Sequence, residues 1–156
     1  MSAPVITPDL VWAARRELKR RTRDKMSLGV FAKVADDGRP VRFRVMKGGR
    51  GSGKSHGFAE ALIERAAEKK TRILCCREIQ KSIRDSVKAL LTKKIKELGY
   101  EKDFSVLDTE IRHKNGSLIT FVGLRTNIES VKSTEDVDIA YVSEARTVSQ
   151  TSWEVL

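Results

Sequence analysis

Eight consecutive residues, Gly48-Gly49-Arg50-Gly51-Ser52-Gly53-Lys54-Ser55, have the types and the spacing to cradle a chain of phosphates. They fit the pattern G-x-x-x-x-G-K-[ST], with Gly48 opening it and Gly53, Lys54 and Ser55 closing it. Glycines let successive backbone N–H groups turn toward phosphate oxygens, and a helix starting after the loop adds its positive end. In such a loop Lys54 bridges the β- and γ-phosphates of ATP, and the Ser55 hydroxyl holds Mg²⁺. The competing reading is a flexible surface turn. An expected strand before the loop and an expected helix after it favour the phosphate loop.

Glu144 is the second chemical candidate. It follows the apolar run Val137 to Val142, so it falls at the C-terminal end of an expected core strand. That end of a nucleotide-binding sheet faces the ligand, where a carboxylate can orient or deprotonate an attacking water. The alternative is an ordinary strand-end acid. Ser143 stands where an aspartate supporting Mg²⁺ is expected; a hydroxyl reaches a metal-bound water but brings no charge. Asp138 does not replace it, since it lies at the opposite end of the strand. Arg50 has two readings, a solvated loop tip or a cationic finger on the γ-phosphate. The segment Arg77-Glu78-Ile79-Gln80 borders the same crevice, to couple nucleotide state to the next helix or simply to cap it. Phe31 is read as packing, with adenine stacking as the alternative.

Several elements must position these groups. Val41, Phe43 and Val45 alternate with Arg42, Arg44 and Met46, a strand pattern running into the glycine-rich loop. After Ser55, Phe58, Ala59, Leu62, Ile63, Ala66 and Ala67 recur at helical steps. Arg72 to Cys76 reads as a buried strand, and Ile79, Ile83, Val87, Leu90, Leu91, Ile95 and Leu98 as a long amphipathic helix with Gly99 as C-cap. Short strands follow at 104–107, 110–112 and 117–122, with Asn115-Gly116 as the hairpin turn between the last two. Val137 to Val142 is a further buried strand, and the residues from Val148 on begin a helix. This order predicts an α/β phosphate-loop NTPase: a mostly parallel, helix-flanked sheet with an antiparallel hairpin insertion, incomplete toward the C-terminus.

Composition narrows the partners. A chain of 156 residues with a formal net charge of +10 favours a polyanion such as double-stranded DNA. Arg15, Arg16, Lys19, Arg20, Arg21, Arg23 and Lys25 crowd one short stretch, with solvated charge as the default reading and DNA contact as the functional one. Residues 1–30 form a basic N-terminal segment and 31–156 the partial nucleotide-binding domain. No apolar run is long enough for a membrane span and the N-terminus lacks a secretion signal, so a cytoplasmic protein is expected. Cys75 and Cys76 are adjacent, which excludes a disulfide between them, and read as buried thiols.

Three stretches taken together, residues 42–55, 72–87 and 137–154, resemble the ATPase domain of the large terminase subunits of tailed bacteriophages, in particular their PBSX-type prophage branch. The resemblance covers roughly residues 41–156. It implies a motor that couples ATP hydrolysis to translocation of double-stranded DNA into a procapsid in the infected or lysogenic host. The implied partners are the portal protein, a small terminase subunit and further copies in a ring. It places the arginine finger at Arg50 and the water-activating acid at Glu144. The family usually has an acid where this chain has Ser143, which bears on metal affinity and turnover. Family members also continue into a nuclease domain with clustered carboxylates, whereas this sequence ends twelve residues after Glu144. The expectation is therefore a partial ATPase domain without nuclease. The alternatives are a nucleotide- or DNA-binding module that does not hydrolyse, and a small-molecule kinase.

Overall fold

The structure, a computed structural model, describes residues 42–49, 51–78, 83–125, 136–154 and 156. Arg50, Phe31, the basic stretch from Arg15 to Lys25 and the first turn of the helix expected from Ile79 lie outside the described residues. The chain divides into two units, Met1–Gly49 and Arg50–Leu156.

In the first unit, residues 42–49 take no regular secondary structure. This corrects the strand expected at 41–46. Phe43 and Val45 are 77% and 88% exposed, so the apolar side of the alternation is not buried among the described residues. Alternation describes a chain that can line one face of a sheet; without a ladder partner, extended backbone gains nothing over solvated coil. Arg42 instead places its guanidinium 5.4 Å from the centroid of the Phe43 ring.

The second unit opens with α1, Lys54–Glu68. Its apolar residues recur at three- and four-residue steps, and Ala59, Leu62, Ile63 and Ala66 are all buried, with Ala61 beside them. The helix stops at Lys69, whose extended backbone still donates its N–H to Arg65 O at 3.2 Å. Strand β1, Arg72–Arg77, follows. Ile73, Leu74, Cys75 and Cys76 are buried on both faces, as an unbroken apolar run in a central strand requires. Both thiols are free, and burial pushes their pKa values up, that of Cys76 to about 12.

The long helix is described from Ile83 on. A π-helical turn, Arg84–Lys88, leads into α2, Ala89–Leu98, which ends at Gly99 in the left-handed conformation (φ 73°). Ile83, Val87, Leu91 and Ile95 are buried in steps of four. Such steps overshoot an α-helical turn of 3.6 residues, so the apolar stripe would drift around the helix; one wider turn takes up the drift. Each side chain buried here contributes roughly 1.5–3 kcal/mol. Lys94 ties α2 to α1, with its ammonium 3.2 Å from Glu60 and 2.8 Å from Glu97.

Three strands then meander: β2, Phe104–Val106; β3, Glu110–His113; and β4, Leu118–Gly123. The hairpin expected at Asn115-Gly116 joins the last two, and its turn also closes the C-terminal end of α1. Asn115 Nδ2 donates to Ala66 O at 2.9 Å and Ser117 Oγ to the same carbonyl at 2.7 Å, satisfying a helix-end acceptor. Strand β5, Ile139–Val142, follows. A 3₁₀ turn, Ala145–Thr147, and the short helix α3, Gln150–Trp153, come last; Ser149 caps α3 by accepting the Ser152 N–H.

The five strands form one sheet in the order β2-β3-β4-β1-β5. β1 is parallel to both β4 and β5, while β2–β3 and β3–β4 are antiparallel. The α/β class is as expected. The sheet is mixed rather than mostly parallel, because the hairpin is no insertion: its second strand pairs in parallel with β1 at the centre. β5 is also less buried than expected, with Ala140 exposed, since among the described strands it has a neighbour on one side alone. The face carrying Leu74 and Cys76 packs against Leu124 and Val148, and α1 covers the opposite face at Tyr141.

Candidate nucleotide-binding site

The register of β1 and β5 brings two strand ends together. Cys75 lies beside Tyr141 and Cys76 beside Val142, and the Ser143 N–H donates to Cys76 O at 2.9 Å. Arg77 therefore emerges next to Ser143 and Glu144. This is the C-terminal end of two parallel strands, where ligands of open α/β sheets bind.

The start of α1 lies at the same end. Gly51 and Gly53 have φ values of 76° and 79°, and a Cβ built on either would meet nothing within 4 Å. Glycine is needed there for the backbone conformation, not for space. Gly53 occupies the N-cap without a side-chain cap, and the first turn carries no acid, so the positive end of the helix is not neutralised from within its own first turn. Lys54 Nζ donates to Ser52 Oγ at 2.8 Å, folding the lysine across the loop.

Ser55 and Ser143 meet through a residue that the sequence reading passed over. The Tyr141 side chain lies near both of them, and its ring sits 5.4 Å from that of Phe58 on α1. Burial is the largest influence on this phenol and raises its pKa; the nearby hydroxyls of Ser143 and Ser55 and the charge of Arg77 partly offset it. The signal for Tyr141 was its parity. It lies two residues before Ser143 on an extended chain, hence on the same side.

Glu144 is held in two ways. Its backbone is left-handed, with φ 57° and ψ 46°, a conformation that costs a side-chain-bearing residue roughly 1–2 kcal/mol. Its carbonyl accepts from Thr147 N at 2.9 Å and Thr147 Oγ1 at 2.8 Å, which pins that geometry. Its carboxylate forms an ion pair with Arg77, whose other amino group donates to Ser86 Oγ at 2.8 Å. Residues held in such backbone conformations cluster at active sites and ligand clamps.

Of the residues singled out from sequence, Ser55, Arg77, Ser143 and Glu144 come together, with Lys54 on the adjoining turn. Gly48 and Gly49 belong to the first unit, and Arg50 lies outside the described residues. Asp138 stands at the far end of β5, its Oδ2 accepting the Arg72 N–H at 2.8 Å. Among the described residues there is no cluster of three His, Cys, Asp or Glu placed to hold a metal, and no helix is long and apolar enough to cross a membrane.

The chain is an α/β protein with a mixed five-stranded sheet, whose glycine-rich turn and first helix start lie at the C-terminal end of two parallel strands. Residues 41–156 match the family described as phage terminase large subunit, and this chain belongs to that family. It is 30% identical over 116 residues to the PBSX phage terminase large subunit of Bacillus subtilis (strain 168), an alignment covering 73% of this chain and 27% of that protein. The chain thus spans about a quarter of the length of that curated relative.

Proposed function

We propose that the chain is the nucleotide-binding part of a viral DNA-packaging motor, binding ATP with Mg²⁺ at residues 48–55 and hydrolysing it with Glu144. The observation that carries this is the convergence of Ser55, Ser143, Glu144 and Arg77 at one end of β1 and β5, beside the uncapped start of α1. Each part has a role in phosphoryl transfer. Backbone N–H groups from Gly51 to Ser55 and the Lys54 ammonium offset phosphate charge. The Glu144 carboxylate takes a proton from water, once free of Arg77. Arg50, by its place in the motif, is the proposed arginine finger. The donor set suits Mg²⁺, which keeps most of its waters and takes few protein ligands: Ser55 would hold it directly and Ser143 through water. When bound, the ion neutralises charge on the phosphates.

Membership in the terminase family and the net charge of +10 support double-stranded DNA as the translocated substrate. The portal, a small terminase subunit and a ring of further copies are proposed as partners on family membership. A second reading, nucleotide binding without turnover, is favoured by two observations: position 143 carries no charge, and Arg77 already occupies the Glu144 carboxylate.

The test is Mg²⁺-dependent ATP hydrolysis with and without double-stranded DNA, beside Lys54→Ala. DNA-stimulated turnover that is absent from Lys54→Ala supports the motor. Binding with no turnover under any condition leaves the second reading. Phosphate transfer to a small acceptor would identify a kinase and contradict both.

A further inference from the structure

Asn115 and Gly116 form the turn between β3 and β4, and in chemical terms they are also a labile pair. Asparagine is among the side chains that degrade on heating, and glycine after it removes the Cβ that would hinder attack by the next peptide nitrogen. The chain has two asparagines; Asn115 precedes glycine, whereas Asn127 precedes isoleucine. In the reaction the Gly116 nitrogen bonds to Asn115 Cγ, the Cγ–Nδ2 bond breaks and ammonia leaves. Water then opens the resulting five-membered imide at one carbonyl or the other, giving aspartate or isoaspartate. Water is the one external reactant, and nothing is oxidised or reduced.

The native hairpin engages the atoms this reaction needs. The leaving nitrogen, Asn115 Nδ2, donates to Ala66 O at 2.9 Å and to Ala67 O at 3.3 Å. Asn115 Oδ1 accepts the Ser117 N–H at 2.8 Å, and the backbone N–H of Asn115 donates to His113 Nδ1 at 3.2 Å. The attacking nitrogen of Gly116 donates to His113 O at 2.9 Å. Lys70 lies over Gly116, its Cε 3.4 Å from the place a Cβ would take. Ring closure draws Asn115 Cγ onto the Gly116 nitrogen, so the side chain must first leave the end of α1.

We propose that Asn115-Gly116 is a self-modification site that the fold keeps shut: it reacts in chains whose hairpin has opened, and the product cannot rebuild the seam with α1. The Ala66 and Ala67 carbonyls need donors at the helix end, and a carboxylate offers none. Its charge would also stand at the negative end of the helix dipole. Isoaspartate lengthens the backbone by one methylene, which breaks the register of β3 against β4. The helix so loosened is the one that carries Lys54 and Ser55 at its start. A single excursion of the turn is thereby made permanent. The inference stands on the hairpin alone and is independent of the nucleotide reading.

The experiment incubates the whole chain in mildly alkaline buffer, with and without denaturing guanidinium chloride, and follows peptide masses over days. Conversion at Asn115 adds about one mass unit, and fragmentation separates aspartate from isoaspartate. The expected result is conversion at least about tenfold faster in denaturant than in native buffer, since the native rate is the unfolded rate scaled by the open fraction. Asn127 serves as the internal reference and should stay intact in both. Equal rates in the two buffers, or no conversion in denaturant, would overturn the proposal. Asn115→Asp tests the product directly, with an expected denaturant midpoint below that of wild type. A midpoint equal to or above wild type would overturn the claim that the modified turn cannot rebuild the seam.

Discussion

The Arg77 guanidinium, at the end of β1, lies against the carboxylate of Glu144, two residues beyond the end of the neighbouring strand β5. Parallel pairing of β1 and β5 puts the two groups side by side, and a second arm of Arg77 reaches Ser86 at the start of the long helix. One side chain thus joins the proposed water-activating acid to the element that follows β1.

That ion pair is half open to solvent, with Arg77 15% and Glu144 57% exposed at the side chain. Its worth is correspondingly small. A double-mutant cycle with Arg77→Gln and Glu144→Gln, read by urea unfolding, is expected to give a coupling of about 0.5–1 kcal/mol. The coupling should shrink at high salt, because exposed charges are screened.

The left-handed backbone at Glu144 gives a separate prediction. Both Glu144→Gly and Glu144→Ala lose the Arg77 pair, so their difference isolates the backbone. Glycine tolerates positive φ and alanine does not, so Glu144→Gly should be the more stable by about 1 kcal/mol, the reverse of their order in a helix. Thermal unfolding of the two variants side by side checks this.

The paired thiols make stability fall in alkali. Cys76 has an ordinary pKa near 9.0 and is held at about 12 in the fold, with Cys75 raised further by burial and by the neighbouring thiol. A raised folded pKa means stability that is complete below pH 9 and lost as pH rises toward the folded value. Each thiol should steepen the decline by about 1.4 kcal/mol per pH unit over that window. Urea unfolding of the reduced chain between pH 8 and pH 10 should therefore show a shallower slope in Cys76→Ala than in wild type.

Packing of the long helix is testable at Leu91, which is fully buried. Leu91→Ala should cost about 2–5 kcal/mol, measured by denaturant midpoint. Lys54→Ala touches no core and should change stability by less than about 0.5 kcal/mol while removing nucleotide binding.

What the sequence made legible follows from what periodicity can report. The stripe through Ile83, Val87, Leu91 and Ile95, the buried run from Ile73 to Cys76 and the Asn115-Gly116 turn are local patterns, and each appears where it was read. The strand at 41–46 was not found, because alternation in Phe43 and Val45 says what a chain can do beside a partner, not that a partner is there. The hairpin was read as an insertion, yet its second strand also pairs in parallel with β1, since which strands become neighbours is a tertiary property. At the site, Glu144 and Ser143 were legible from their place after an apolar strand. The Arg77–Glu144 pair and the placement of Tyr141 against Phe58 were not, because both arise only when β1, β5 and α1 are brought to one end of the sheet.

The most direct measurement sets nucleotide binding against turnover in the Glu144→Gln variant. The account predicts that wild type binds and hydrolyses ATP in the presence of Mg²⁺. Glu144→Gln should bind with affinity within about threefold of wild type and lose turnover by a factor of about 10² or more. Hydrolysis that survives in Glu144→Gln would contradict the assignment of Glu144 as the acid that activates water.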